Sequence, residues 1–108
     1  MYTRCAIFEG QITPGREDEF FALVEERLLP LWKQMPHATA VRVLRGERRD
    51  ADAPPIAMMQ EIDYPSLEAI DEALSSPIRT QARAVTEEIV KLFEGRFYHI
   101  VYRRQAAG

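Results

Sequence analysis

Asparagine is missing from these 108 residues, cysteine and tryptophan occur once each, and histidine only twice. The lone Cys5 cannot close a disulfide within the chain and has no cysteine partner for a structural zinc site. No apolar run approaches the roughly 20 residues that a membrane-spanning helix needs. Positive charge is not in excess either: 14 Lys and Arg stand against 17 Asp and Glu. A net charge of −3 speaks against general binding to nucleic acid or to an anionic membrane. There is no glycine-rich phosphate loop, nucleophile elbow or paired metal-ligand spacing, so neither a metal nor a cofactor is expected. Nothing resembles a signal peptide, and the expected location is the cytoplasm, where a single thiol stays reduced. The rest is ordinary for a globular protein, 46% hydrophobic and 29% charged, which suffices for one core. We expect one domain over residues 1–104 and a short flexible tail at 105–108.

Along the chain, Cys5 and Ile7 alternate with Ala6 and Phe8, which predicts a strand over residues 2–12. Thr13 is a candidate helix cap, Pro14 suits a first helical position, and Glu17, Asp18 and Glu19 favour the positive end of a helix dipole. Phe20, Leu23, Val24, Leu28 and Leu31 then recur at helical spacing, widened by Phe21 and Trp32. Pro30 falls inside that stripe and predicts a kink or break. Residues 38–45 and 56–62 alternate as two strands around a charged, proline-containing loop at 46–55. Ser66 caps a helix with Leu67, Ile70 and Leu74 on its apolar face. Ser76 and Pro77 open another, with Ile78, Ala82, Val85 and Ile89 as its stripe and Gly95 as its stop. The closing stretch, 95–104, is rich in aromatic and β-branched residues and reads as a last strand, apolar on both faces.

Strand, helix, strand, strand, helix pair, strand is an α+β order. Two right-handed crossovers about a central hairpin give a ferredoxin-like βαββαβ fold: a four-stranded antiparallel sheet with helices on one face. The last strand then lies beside the first, at an edge. Helices cover one face only, yet Ile56 and Met58 on one side and Ala57 and Met59 on the other are all apolar. An uncovered apolar face of that size marks an interface, and a second copy packed sheet to sheet is the simplest cover. A homodimer through the sheet face is expected, forming a dimeric α+β barrel.

Several short segments carry a resemblance. These are Thr13-Pro14-Gly15, Met35-Pro36, Tyr64-Pro65-Ser66-Leu67-Glu68-Ala69, Ser76-Pro77 and Phe93-Glu94-Gly95-Arg96. With the βαββαβ layout, nearly the whole chain resembles the dimeric α+β barrel superfamily. That group includes antibiotic-biosynthesis-type monooxygenases, ethyl tert-butyl ether degradation proteins, haem-degrading enzymes, muconolactone isomerases and stress-responsive proteins. Leu28-Leu29-Pro30-Leu31 is similar to a His-Ala-Pro-Leu segment of the ether-degradation group, with Leu28 at the histidine position. The Asn, Trp and His set of the haem-degrading members has no counterpart. The resemblance implies cofactor-independent chemistry, in which the substrate is activated by deprotonation in a dry pocket.

Few residues can carry such chemistry. His99, mid-strand, faces either the helix layer or the space between two sheets. Its ordinary pKa of about 6.5 suits a general base, and a histidine satisfied within the core or interface is the alternative. His37 follows Met35-Pro36 at a helix-to-strand junction, as a rim residue or an exposed loop histidine. Trp32 either stacks on a flat ligand or packs the core. Arg42 and Glu61 suit a cross-strand pair or the orientation of a ligand carbonyl. Tyr98 and Tyr102 share one strand face, where they either hydrogen-bond a ligand or cover the dimer seam. Two functions fit. One is a small homodimer binding a small apolar or aromatic molecule, with monooxygenase- or isomerase-like chemistry at His99 aided by Arg42 and Tyr98 or Tyr102. The other is a non-catalytic stress-response or ligand-carrier protein of the same fold.

Overall fold

The computed structural model describes residues 1–108. The first strand, β1, spans Tyr2–Ile12. Thr13 does not form the expected cap: its backbone N–H and its hydroxyl both donate to the Leu92 carbonyl, at 2.7 and 3.0 Å. The helix α1 (Glu17–Leu23) starts only after Gly15, so Pro14 belongs to the turn and not to the helix.

Pro30 reshapes the middle of this helical stretch. It has no N–H to give the Glu26 carbonyl, and its ring crowds the preceding turn. The chain answers with a π turn over Val24–Leu28, in which the Leu29 N–H reaches back to the Val24 carbonyl, and restarts as α2 (Leu29–Lys33). The wider turn keeps Phe20, Val24, Leu28 and Trp32, each four residues apart, on the buried side. The expected break is thus a local widening.

Strand β2 (Ala40–Arg45) starts two residues later than the pattern at 38–45 suggests. Strand β3 (Ile56–Tyr64) runs two residues past 62, because Asp63 and Tyr64 pair with Thr3 and Tyr2. Ser66 caps α3 (Leu67–Leu74) by accepting the Ala69 N–H, and Ser76 caps α4 (Pro77–Ile89) by accepting that of Arg79. Leu67, expected on the apolar face, is exposed; Ala69, Ile70 and Ala73 form the buried face instead. A 3-10 turn at Val90–Leu92 leads into β4 (Phe93–Arg103). Gly95 is therefore not the helix stop. It lies within β4 opposite Gly10 of β1, and both have φ of 149°. A Cβ on Gly95 would meet the Glu9 carbonyl oxygen at 2.2 Å, and one on Gly10 would meet that of Glu94 at 2.1 Å. Only glycine lets the two strands close here.

The sheet is antiparallel in the order β2-β3-β1-β4, a ferredoxin-like βαββαβ fold with β4 beside β1 at one edge. Its period of two sorts the side chains. Ala6 pairs with Gln60 and His99, and Phe8 with Met58 and Phe97; this set faces the helices. Cys5 pairs with Glu61 and Ile100, and Ile7 with Met59 and Tyr98; this set faces away. The core lies between the first set and Phe20, Val24, Leu28, Ile70 and Ile89.

Strand β4 departs from the expectation of burial on both sides. On its helix side Phe97 and Val101 are 42% and 41% exposed, and on the other side Ile100 and Tyr102 are 38% and 50% exposed. The helices pack over the rest of the sheet and leave this edge open.

Candidate functional site

That open edge leaves a cavity of about 380 Å³ between sheet and helices. Its floor is aromatic: the Phe8 and Phe97 rings stack with centroids 5.0 Å apart and 16° between planes. Trp32 and Met35 form one wall and Ala82 of α4 the other. Arg79, Ala82, Arg83 and Thr86 recur at three- and four-residue spacing, so one face of α4 turns to the cavity. The Thr86 hydroxyl donates to the Ala82 carbonyl at 2.8 Å, which leaves its lone pairs free.

Gln60 is the least satisfied group in this wall. It is 4% exposed, and its Oε1 has no hydrogen-bond partner. A buried acceptor left unpaired costs about 1–3 kcal/mol, and Gln60 belongs to the lining of the cavity.

Charge at the site is one-sided. Arg4 of β1 joins Arg79 and Arg83 of α4, with Glu87 the one carboxylate in the lining. None of these three arginines is in an ion pair; the paired arginines are Arg16, Arg27, Arg42, Arg45, Arg96 and Arg104. Burial lowers the Arg4 pKa, without removing the charge of a group that titrates so high.

His99 stands in the same wall, its ring edge-on to Phe97 at 6.2 Å. Although it sits on the open edge and is exposed, its pKa falls to about 4. Loss of water is the first cause, and the positive charges of Arg4, Arg79 and Arg83 follow. The imidazole is therefore neutral at physiological pH and carries an acceptor lone pair. A neutral base beside three guanidiniums is suited to taking a proton from an acidic C–H or O–H while the positive field holds the resulting anion.

The structure brings together two of the residues singled out from the sequence, His99 and Trp32. The others lie elsewhere. His37 occupies the α2–β2 turn at φ 67°, and its ring pairs with Glu72 of α3 at the surface. Arg42, Glu61, Tyr98 and Tyr102 are all on the far face of the sheet, because each is one residue out of phase with His99 and Gln60. Arg42 pairs with Glu61 at 2.7 Å and forks onto Asp63 at 2.8 and 2.9 Å, while Asp63 also accepts from Thr3 and Arg104. The Arg42 fork holds the Asp63 carboxyl at about 2. Tyr98 donates to Glu9 at 3.1 Å. None of these four can assist His99 within the cavity. Cys5 is buried on the same far face, and burial raises its thiol pKa, as expected for an inert thiol.

Sequence reasoning missed Gln60, Arg4, Arg79 and Arg83. Gln60 had a signal, since it interrupts the Met58 to Ile62 alternation on the core face. Arg79 and Arg83 flank Ala82 at helical spacing, but long basic side chains beside an apolar stripe usually lie in solvent.

No protein-family model matches the chain, and no curated protein matches it in sequence. Solved structures do match in shape. An EthD (ethyl tert-butyl ether) family protein from Bacillus halodurans c-125 has a TM-score of 0.72 at 16% identity, over 95% of this chain and 97% of that one. SnoaB, a cofactor-independent oxygenase from Streptomyces nogalater, has a TM-score of 0.68 at 13% identity, over 98% and 94%. A dimeric protein of unknown function and ferredoxin-like fold from Bacteroides fragilis NCTC 9343 has a TM-score of 0.64 at 10% identity, over 94% and 93%. No helix is long and apolar enough to cross a membrane. The chain has the ferredoxin-like fold that these structures share, as its βαββαβ order suggested.

Proposed function

We propose that the protein binds a small apolar or aromatic molecule in the cavity between sheet and helices, and that neutral His99 takes a proton from it. The observation that carries this reading is the pairing of an uncharged imidazole with guanidiniums that have no carboxylate partner, over a stacked aromatic floor. The similarity in fold to a cofactor-independent oxygenase supports it. Removing a proton next to a carbonyl leaves an enolate. Returning the proton to another carbon is isomerisation. Reaction with dioxygen converts CH₂ to C=O, with one oxygen atom kept and the other leaving as water. Both need only the ligand, the base and, for the second, dioxygen.

The working unit in this proposal is a cytoplasmic homodimer. Leu44, Ile100 and Tyr102 stand exposed on the sheet face turned away from the helices, and a second copy of that face would cover them. Light scattering at micromolar concentration is expected to give twice the 12.5 kDa chain mass; a value of 12.5 kDa removes the dimer.

The test of the chemistry is a thermal-shift screen of phenols, quinones, lactones and haem, followed by oxygen uptake and proton exchange with any ligand found. His99→Ala is expected to abolish turnover with the ligand still bound. A carrier reading has one observation in its favour: a carboxylate holds His37, whereas none orients His99. Ligand binding with neither oxygen uptake nor exchange would decide for the carrier.

A further inference from the structure

The charge around the cavity goes further than the proposed function requires. A purely apolar ligand would leave Arg4, Arg79 and Arg83 facing it without counter-charge, and Glu87 balances at most one of them. Arg79 and Arg83 are four residues apart on one helix face, and Arg4 approaches from the strand below. Guanidiniums placed this way match a planar carboxylate, which accepts paired N–H groups from each fork. An inorganic anion does not fit the rest of the lining, because the stacked Phe8 and Phe97 and the Trp32 wall call for an apolar body. The cavity is also near the small end of the roughly 300–1,000 Å³ typical of ligand sites, which favours one or two rings.

We infer that the ligand of this cavity is an organic anion, a compact aromatic acid whose carboxylate is held by Arg4, Arg79 and Arg83 and whose ring lies on Phe8 and Phe97. This rests on the cavity being the ligand site. It adds selection by charge. The carboxylate also places negative charge near His99, which opposes the arginine field and makes the imidazole a stronger base once the ligand is bound.

The experiment compares acids with their methyl esters: benzoate, 2-naphthoate and biphenyl-4-carboxylate, each against its ester. Calorimetry gives affinity, and the fluorescence of the sole tryptophan, Trp32, reports occupancy of the cavity. At least one acid is expected to quench Trp32 and to bind tenfold or more tightly than its ester, with affinity falling as salt rises. Arg79→Gln and Arg83→Gln, on the cavity face of α4, are each expected to weaken the acid about tenfold and to change the ester little. Equal binding of acid and ester, or binding that ignores both substitutions, overturns the anion inference and leaves the cavity reading standing. Absence of any Trp32 response to all six compounds overturns both.

Discussion

Replacing Gln60 with leucine separates the demands of the site from those of the fold. Gln60 lies on the core face of β3, is 4% exposed and pairs in register with Ala6 of β1, so most of the substituent meets packed neighbours. Leucine has nearly the same volume and adds no polar atom. In the empty protein the change removes an acceptor that has no donor, and such a group costs about 1–3 kcal/mol. Loss of the amide's remaining polar contacts with solvent in the cavity offsets part of this, so a gain of about 1 kcal/mol is the working figure. For a domain of this size each kcal/mol moves the midpoint by roughly 4–8 °C. Thermal unfolding of ligand-free Gln60→Leu, followed by circular dichroism, is therefore expected to shift upward by about that much. Affinity for any cavity ligand should fall in the same variant. A stabilised protein that has lost its ligand is the signature of a binding residue held at a cost to the fold. A midpoint equal to or below the parent's would refute the reasoning, since it would mean that Gln60 is satisfied and structural.

The same geometry carries other expectations. His99 should titrate near pH 4 by NMR, and Arg79→Gln with Arg83→Gln should raise its midpoint. A wild-type midpoint of 6 or above would show that neither loss of water nor the arginine field acts strongly on the imidazole. Because the folded value is depressed, the stability linked to neutral His99 is full above about 6.5 and lost as pH falls through about 4. Asp63 acts at lower pH: its contribution is complete above about 4 and lost as pH falls towards 2. Asp63→Asn should erase that limb of the acid unfolding curve. Gly95→Ala sets a methyl 2.2 Å from the Glu9 carbonyl oxygen at a φ that side chains avoid, for about 2–4 kcal/mol of strain. A thermal midpoint within 2 °C of the parent's would show that the β1–β4 contact is loose.

The fold was legible because its signals are local and redundant. Ser66 and Ser76 each announce a helix by a side chain that caps it, and the alternation of β1 and β3 survives intact. Elements depending on a distant partner read less well. Thr13 looks like a cap, but the Leu92 carbonyl, far along the chain, takes both of its donors. Gly95 looks like a helix stop because nothing local shows that Gly10 stands opposite it. The site was harder still, since a strand's period of two says which side chains share a face but not which face meets the helices. Tyr98 and His99 are adjacent and both suit chemistry, yet only one of them can enter the cavity.

The consequence is sharpest in β4. Its two apolar sets suggest a strand buried on both sides, yet both are open in the single chain. The two faces ask for different covers. On the far side, Ile100 and Tyr102 continue a surface with Leu44 and end near the paired charges of Arg42, Glu61 and Asp63, a mixed face that a second copy can match. On the helix side, Phe97 and His99 border a cavity with unpaired arginines and an unpartnered amide oxygen, which a second identical sheet would leave just as unpaired. A hydrophobic strand exposed on both faces at a sheet edge is an aggregation hazard unless both are covered. In the function proposed above, one face serves assembly and the other a ligand, with Tyr98 and Tyr102 on the first and His99 on the second.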